Sequence, residues 1–73
     1  MNFFARFVMD NFPVRLRELR KKKGLLQKDI AKLLEITERQ YIRYEAGEVD
    51  PPMSKVKKLK DFYNVTLDYI MGD

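Results

Sequence analysis

Residues 27–47 of the chain read QKDIAKLLEITERQYIRYEAG, and this stretch carries the signals for two short helices. Apolar residues recur at helical spacing in its first half, as at Ile30 and Leu34. Thr37 and Gln40 then fit the two ends of a capping box, so a second helix begins immediately afterwards. Only three residues remain between the two helices, and a connection this short forces them to cross at a steep angle.

The helical phase of residues 38–46 separates an inner face from an outer face. If Tyr41, Tyr44 and Glu45 face the core, the outer face carries Glu38, Arg39, Ile42, Arg43 and Ala46. In a helix-turn-helix arrangement the second helix enters a major groove, where Arg39 and Arg43 could contact base edges and phosphates. Two exposed arginines on a helix pair are more often ordinary solvated surface, so periodicity by itself leaves both interpretations open.

The spacing of apolar residues along the whole chain supports helices and no strand, so the predicted fold class is all-α. The expected architecture is a compact bundle of five helices near residues 14–22, 27–34, 38–45, 52–63 and 67–71. Pro13 suits the first position of the first helix, and the phenylalanines before it allow an additional N-terminal helix that ends before Pro13. Leu26, at the cap position of the second helix, cannot accept a hydrogen bond, so this helix is expected to fray.

The composition excludes several kinds of site. The 73 residues include no Cys and no His, so disulfides, thiolate or imidazole metal sites and the usual nucleophile–base pairs are unavailable. We therefore expect a protein that is not an enzyme and that has no cofactor and no bound metal. No stretch approaches the ~18–20 apolar residues of a membrane span, and the aromatic N-terminus lacks the basic leader of a signal peptide. These features together predict a cytoplasmic protein.

The formal net charge of +4 conceals an uneven distribution. Basic side chains dominate residues 15–28 and 55–60, whereas acidic side chains gather in residues 35–50. Blocks of like charge suit a polyanion partner, although a solvated helix face is the more common explanation of a lysine run.

A set of residues spread over 12–72 adds a more specific signal. It comprises Arg20, Gln27, Ala31, the sequence Tyr44-Glu45-x-Gly47, Pro51 and the closing run Asn64-Val65-Thr66-Leu67-Asp68-Tyr69. In this order and at this spacing, and without gaps, the set resembles the Xre/Cro/phage-repressor family of lambda-repressor-like helix-turn-helix DNA-binding domains. The resemblance implies the five-helix fold and double-stranded DNA as the partner.

The resemblance also implies a role for each matching position. Gln27 and Lys28, at the start of the second helix, would contact backbone phosphates beside the free amides of the helix N-terminus. The base-contacting and groove-facing positions of the recognition helix are Glu38, Arg39, Ile42 and Arg43. Arg20 and Glu45 match a structural ion pair that ties the first helix to the end of the recognition helix.

The chain departs from the family pattern at several positions. Glu35 replaces the glycine often found in the turn, so a non-glycine residue is expected to adopt a positive φ. Glu38 is acidic, which suits either a hydrogen bond from cytosine N4 or a favourable interaction with the helix dipole. Ile42 is apolar and could touch a thymine methyl group or a partner protein. Glu48 and Asp50 lie in a loop where basic residues are common.

The function expected from the resemblance is sequence-specific DNA binding by a homodimeric transcriptional regulator of bacterial or phage type. It would act as a repressor on a palindromic operator and associate with the nucleoid. The alternative is an antitoxin-like or adaptor protein whose main surface binds another protein. Residues 13–73 would form the DNA-binding domain, and residues 1–12 an apolar extension that packs on its own domain, dimerises or binds a foreign partner. The candidate dimer contacts are Phe3, Phe7, Tyr69, Ile70 and Met71.

Overall fold

A computed structural model describes the backbone of residues 3–72 and the side chains of residues 11–72. In that part of the chain there are five α-helices and no strand, which confirms the all-α prediction. The helices are α1 (Phe3–Lys22), α2 (Gln27–Leu34), α3 (Glu38–Glu45), α4 (Met53–Tyr63) and α5 (Leu67–Ile70). None of these helices is both long enough and apolar enough to cross a membrane.

The first helix differs from the prediction. α1 is one continuous helix with Pro13 in its interior, so there is neither a helix start at Pro13 nor a separate N-terminal helix. A proline inside a helix removes one backbone hydrogen bond and crowds the preceding turn, which costs about 3 kcal/mol. Phe12 and Leu16 are 1% and 0% exposed, and burying each such side chain contributes about 1.5–3 kcal/mol. Burial of the side chains on both sides of Pro13 therefore offsets the cost of a proline inside the helix. The sequence pattern shows that cost but not the burial.

The core receives apolar side chains from all five helices. Its buried members are Phe12, Leu16, Leu19, Ile30, Ala31, Leu34, Tyr41, Tyr44, Val56, Leu59, Tyr63 and Ile70. Ile70 is 0% exposed, so its side chain is not available on the surface of the folded chain and the prediction of a dimer contact there is corrected. Burial of Ile70 helps to attach the short helix α5 to the domain.

Helices α1 to α4 end in the same backbone motif. One residue adopts a positive φ, and the amide of the next residue donates to a carbonyl five residues earlier in the chain. The left-handed residues are Gly24, Glu35, Gly47 and Asn64. The closing bonds are Leu25 to Arg20 (3.1 Å), Ile36 to Ala31 (3.0 Å), Glu48 to Arg43 (3.0 Å) and Val65 to Lys60 (3.0 Å). This arrangement satisfies carbonyl groups that a helix end otherwise leaves without a partner.

Three helix starts show how the first backbone amides are capped. Two have a threonine cap, and the third is capped in a different way. The Thr37 hydroxyl accepts from the Gln40 amide at 3.1 Å, and Thr66 caps α5 in the same way. Leu26 supplies no side-chain cap to α2. The Asp29 carboxylate instead accepts from the Leu26 amide at 2.8 Å, which is the reciprocal half of a capping box. The expected fraying of α2 is reduced by this bond.

The turn between α2 and α3 confirms the expected positive φ at Glu35, which is 58°. A left-handed conformation costs an L-residue about 1–2 kcal/mol, whereas glycine in its place loses about 0.5–1 kcal/mol of chain entropy. We therefore expect Glu35→Gly to raise the free energy of unfolding by about 0.5–1 kcal/mol, measured by urea denaturation. Asn64→Gly is the matched control, with a smaller gain because asparagine tolerates this conformation. A loss of stability in Glu35→Gly would contradict the strain assigned to the turn.

Candidate nucleic-acid interface

The outer face of α3 carries four exposed residues of the predicted site. Tyr41, Tyr44 and Glu45 are 0%, 4% and 3% exposed and fix this helix against the core. Opposite them, the exposed side chains are Glu38, Arg39, Ile42 and Arg43. This division matches the helical phase read from the sequence, and it leaves one face with two guanidinium groups, one carboxylate and one aliphatic side chain open to a ligand.

Gln27 and Lys28 begin α2, the helix that precedes the turn. Lys28 is exposed. Gln27 is half-buried, and its Nε2 atom donates to Glu45 Oε1 at 3.2 Å. An amide nitrogen carries two N–H groups, so one of them remains free to donate to a phosphate oxygen. The structure thus gives Gln27 a bond to the end of the recognition helix that the sequence did not reveal.

Arg20 and Glu45 join α1 to the last residue of α3. Arg20 Nε lies 2.6 Å from Glu45 Oε2, and Arg20 Nη2 lies 3.1 Å from Glu45 Oε1, so the pair is bidentate. The two side chains are 11% and 3% exposed. Arg20 Nη1 also donates to the Leu25 carbonyl at 3.0 Å, at the start of the loop that leads to α2. The pair therefore connects three elements that must keep their relative positions if α3 is to enter a groove.

Burial acts against the charge on Glu45, but the hydrogen bonds from Arg20 and Gln27 and the positive charge of Arg20 outweigh it. The pKa of Glu45 is lowered as a result. The hydrogen bond to Glu45 raises the pKa of Arg20 although burial opposes it. Both partners are therefore charged at neutral pH, as a closed ion pair requires.

Two buried tyrosines complete the surroundings of the pair. The hydroxyl groups of Tyr41 and Tyr63 have no hydrogen-bond partner among the residues that the structure describes. Burial, together with the nearby negative charge of Glu45, raises the pKa of Tyr63 to about 12. Burial also raises the pKa of Tyr41, together with the interaction of its hydroxyl with the Glu45 carboxylate. Both phenols remain neutral at physiological pH, so they add no charge beside the ion pair.

The sequence model of the helix-turn-helix protein family matches residues 16–70 of the chain. This range is most of the chain and includes every element around the ion pair. The chain belongs to the Xre-type helix-turn-helix family. This is a family of DNA-binding regulatory domains and not of enzymes. The second point agrees with the expectation drawn from the composition.

Named relatives agree with the family assignment. The chain is 40% identical over 58 residues to the HTH-type transcriptional regulator ImmR of Bacillus subtilis, covering 80% of this chain and 46% of ImmR. It is 31% identical over 62 residues to the cryptic phage CTXphi transcriptional repressor RstR of Vibrio cholerae, covering 85% and 56%. The crystal structure of a transcriptional regulator from Listeria innocua superimposes with a TM-score of 0.82 at 31% identity, covering 85% and 58%. The chain spans about half the length of these relatives.

Several basic residues of this helix-turn-helix domain are engaged within the fold. Arg17 Nη2 donates to the Glu45 carbonyl at 3.2 Å, and Lys55 Nζ donates to the Leu34 carbonyl at 2.7 Å. Each cation thereby satisfies the C-terminal end of a helix of the motif, where the helix dipole favours positive charge. The blocks of basic side chains in the sequence suit a polyanion such as DNA, but two of these side chains stabilise the ends of α2 and α3 instead. No local sequence signal indicates these bonds, because their partners lie 28 and 21 residues apart.

The predicted dimer contacts have different outcomes. Tyr69 is 44% exposed, with the Arg15 guanidinium 3.9 Å above its ring and Arg15 Nη1 donating to its carbonyl at 2.7 Å. Met71 is half-buried, and Ile70 belongs to the core. Phe3 and Phe7 lie outside the residues whose side chains the structure describes. On the described surface, therefore, Tyr69 is the most accessible of the predicted contacts.

Proposed function

We propose that the chain binds a palindromic operator as a homodimer and acts as a transcriptional repressor, with α3 in the major groove of each half-site. The observation that carries this proposal is the exposed face of α3, which is held in position by a buried ion pair at its C-terminal end. Arg39 and Arg43 lie four residues apart on that face and would contact base edges or phosphates. The name of RstR, a transcriptional repressor, supports the direction of regulation.

The proposed roles of the other interface residues follow from their position and chemistry. Lys28 and the free N–H of Gln27 would hold a phosphate beside the N-terminus of α2. Glu38 would accept from cytosine N4, and Ile42 would contact a thymine methyl group. In this proposal the DNA-binding domain includes Phe12, which is buried in its core, and the part of α1 that precedes Phe12 is an extension of the domain. The working compartment would be the bacterial cytoplasm, at the nucleoid.

A dimer is proposed because a single domain of this size covers little DNA. Two copies related by a two-fold axis double the contacts and read the two halves of a palindrome. The exposed ring of Tyr69 supports a dimer surface at α5. Phe3 and Phe7 of the N-terminal extension are the other candidates, and the half-sites would be centred about 10 base pairs, or a multiple of that, apart.

Selection of bound sequences from a random duplex pool tests the proposal. We expect enrichment of a two-fold symmetric sequence and a complex that contains two protein chains per duplex. With about six phosphate contacts, affinity for that sequence should fall about 10³-fold between 50 and 200 mM salt. Enrichment of one unsymmetric half-site would remove the homodimer from the proposal, and an unenriched pool with salt-independent binding would contradict DNA recognition itself.

A further inference from the structure

The end of the recognition helix differs from the ends of α1, α2 and α4. In all four helices, the residue after the left-handed position is held by its backbone amide, as described above. At three of these ends that residue is apolar and packs against the core: Leu25, Ile36 and Val65. At the end of α3 it is Glu48, which is exposed, and the following residue, Val49, packs against the core instead.

Glu48 lies beside one arginine of the proposed base-reading face. Its Oε2 atom is 3.4 Å from Arg43 Nε. The closing backbone bond joins the same two residues, because the Glu48 amide donates to the Arg43 carbonyl at 3.0 Å. This bond fixes the backbone of Glu48 relative to the backbone of Arg43. The two side chains therefore extend from fixed positions.

This contact does little for folding. The two side chains are 46% and 62% exposed, and exposed ion pairs of this kind contribute almost nothing to stability. Near DNA, a carboxylate also repels phosphate groups. A carboxylate at this position is therefore better explained by what it does to Arg43.

The geometry indicates how Glu48 acts on Arg43. A guanidinium group has donors at Nε and at both Nη atoms, arranged in one plane. Because the Glu48 carboxylate lies 3.4 Å from Nε, its charge favours orientations of the guanidinium group that keep Nε beside it and leave the Nη donors to meet a guanine edge or a phosphate. An arginine that is already oriented loses less conformational entropy when it binds.

We propose that Glu48 is a positioning residue that orients Arg43 for base recognition and thereby contributes to the sequence specificity of the domain. This inference rests on the proposed function, since it assumes that α3 reads DNA. It adds a specificity-determining residue from outside the recognition helix, at a position where the other helix ends carry a packing residue.

The test compares Glu48→Gln with Asp50→Asn, both measured on the selected operator and on unrelated duplex DNA. Asp50 is an exposed acid of the same loop, with no ion pair among the side chains that the structure describes. Both variants lose one negative charge, so both should bind unrelated DNA more tightly. Only Glu48→Gln should lower the ratio of specific to non-specific affinity, by about 2- to 10-fold if Arg43 loses its orientation.

Two further measurements isolate the route through Arg43. In an Arg43→Ala background, Glu48→Gln should leave the affinity ratio unchanged. In the DNA-free protein, the NMR signal of the Arg43 Nε–H group should move in Glu48→Gln and stay in place in Asp50→Asn. A Glu48→Gln variant that behaves like Asp50→Asn on both DNAs, or one whose effect persists without Arg43, overturns the proposal. A wild-type chain that selects no sequence overturns the proposed function and this role together, whereas normal selection with an unaltered ratio in Glu48→Gln overturns this role alone.

Discussion

Arg20→Met is expected to lower the free energy of unfolding by about 3–5 kcal/mol, because it leaves the Glu45 carboxylate buried without its cation. The carboxylate is 3% exposed and receives two hydrogen bonds from Arg20 in the native chain. A domain of this length has a total stability of about 4–11 kcal/mol, so the loss removes a large share of it. Urea denaturation followed by circular dichroism measures the difference.

The double variant Arg20→Met/Glu45→Leu is the control for this prediction. Replacing both partners of a buried pair by apolar residues is often neutral, so the double variant should recover most of the lost stability. If the double variant is no more stable than Arg20→Met, the loss arises from packing of the arginine stem and not from the stranded charge.

The native chain and Arg20→Met should differ in how their free energy of unfolding depends on pH. In the native chain the pKa of Glu45 is lowered, so its contribution is complete above the ordinary carboxyl pKa of about 4.3 and is lost as the pH falls below it. In Arg20→Met the buried carboxylate has no cation and its pKa rises. That variant should therefore become more stable as the pH falls from 7 towards 5, whereas the native chain should not.

Arg39→Ala is expected to weaken binding by about 5- to 150-fold for each half-site of the selected operator, the equivalent of about 1–3 kcal/mol per half-site, and to relax preference at one base pair of each half-site. Arg39 is exposed near the start of α3, with no hydrogen bond or ion pair among the described side chains. Its removal should therefore change the stability of the free domain by less than about 0.5 kcal/mol. Titrations with the operator and with single-base variants of it give the two affinities.

Lys28→Ala is the matched control for Arg39→Ala. Lys28 is also exposed, but it lies at the start of α2, where the proposed contact is a phosphate. Its loss should weaken binding to all sequences alike and reduce the slope of log affinity against log salt by about 1 for each half-site. An equal loss on all sequences in both variants would mean that the base-reading face lies elsewhere.

The sequence predicts the central motif well because its signals are local. The cap at Thr37 and the positive φ at Glu35 depend on a few neighbouring residues, and both agree with the structure. α1 is the counterexample. Pro13 is a strong local signal for a helix start, yet the helix passes through it because Phe12 and Leu16 are buried on either side.

The same distinction applies to the candidate site. Helical phase alone identified the exposed residues of α3, since a helix with a buried face has only one other side. Phase did not reveal that Gln27 bonds to Glu45, or that Arg17 and Lys55 bond to carbonyls at the ends of helices. These bonds join residues between 18 and 28 positions apart, a separation at which sequence spacing carries no geometric information.

The sequence by itself determined the all-α class, the helix-turn-helix and the family, because helix periodicity, caps and turn residues act over a few residues at a time. Only the tertiary structure decided that α1 continues through Pro13 and that Ile70 is core and not surface. Each of these outcomes depends on which side chains share the limited interior, and that is settled by the packing of all the helices together.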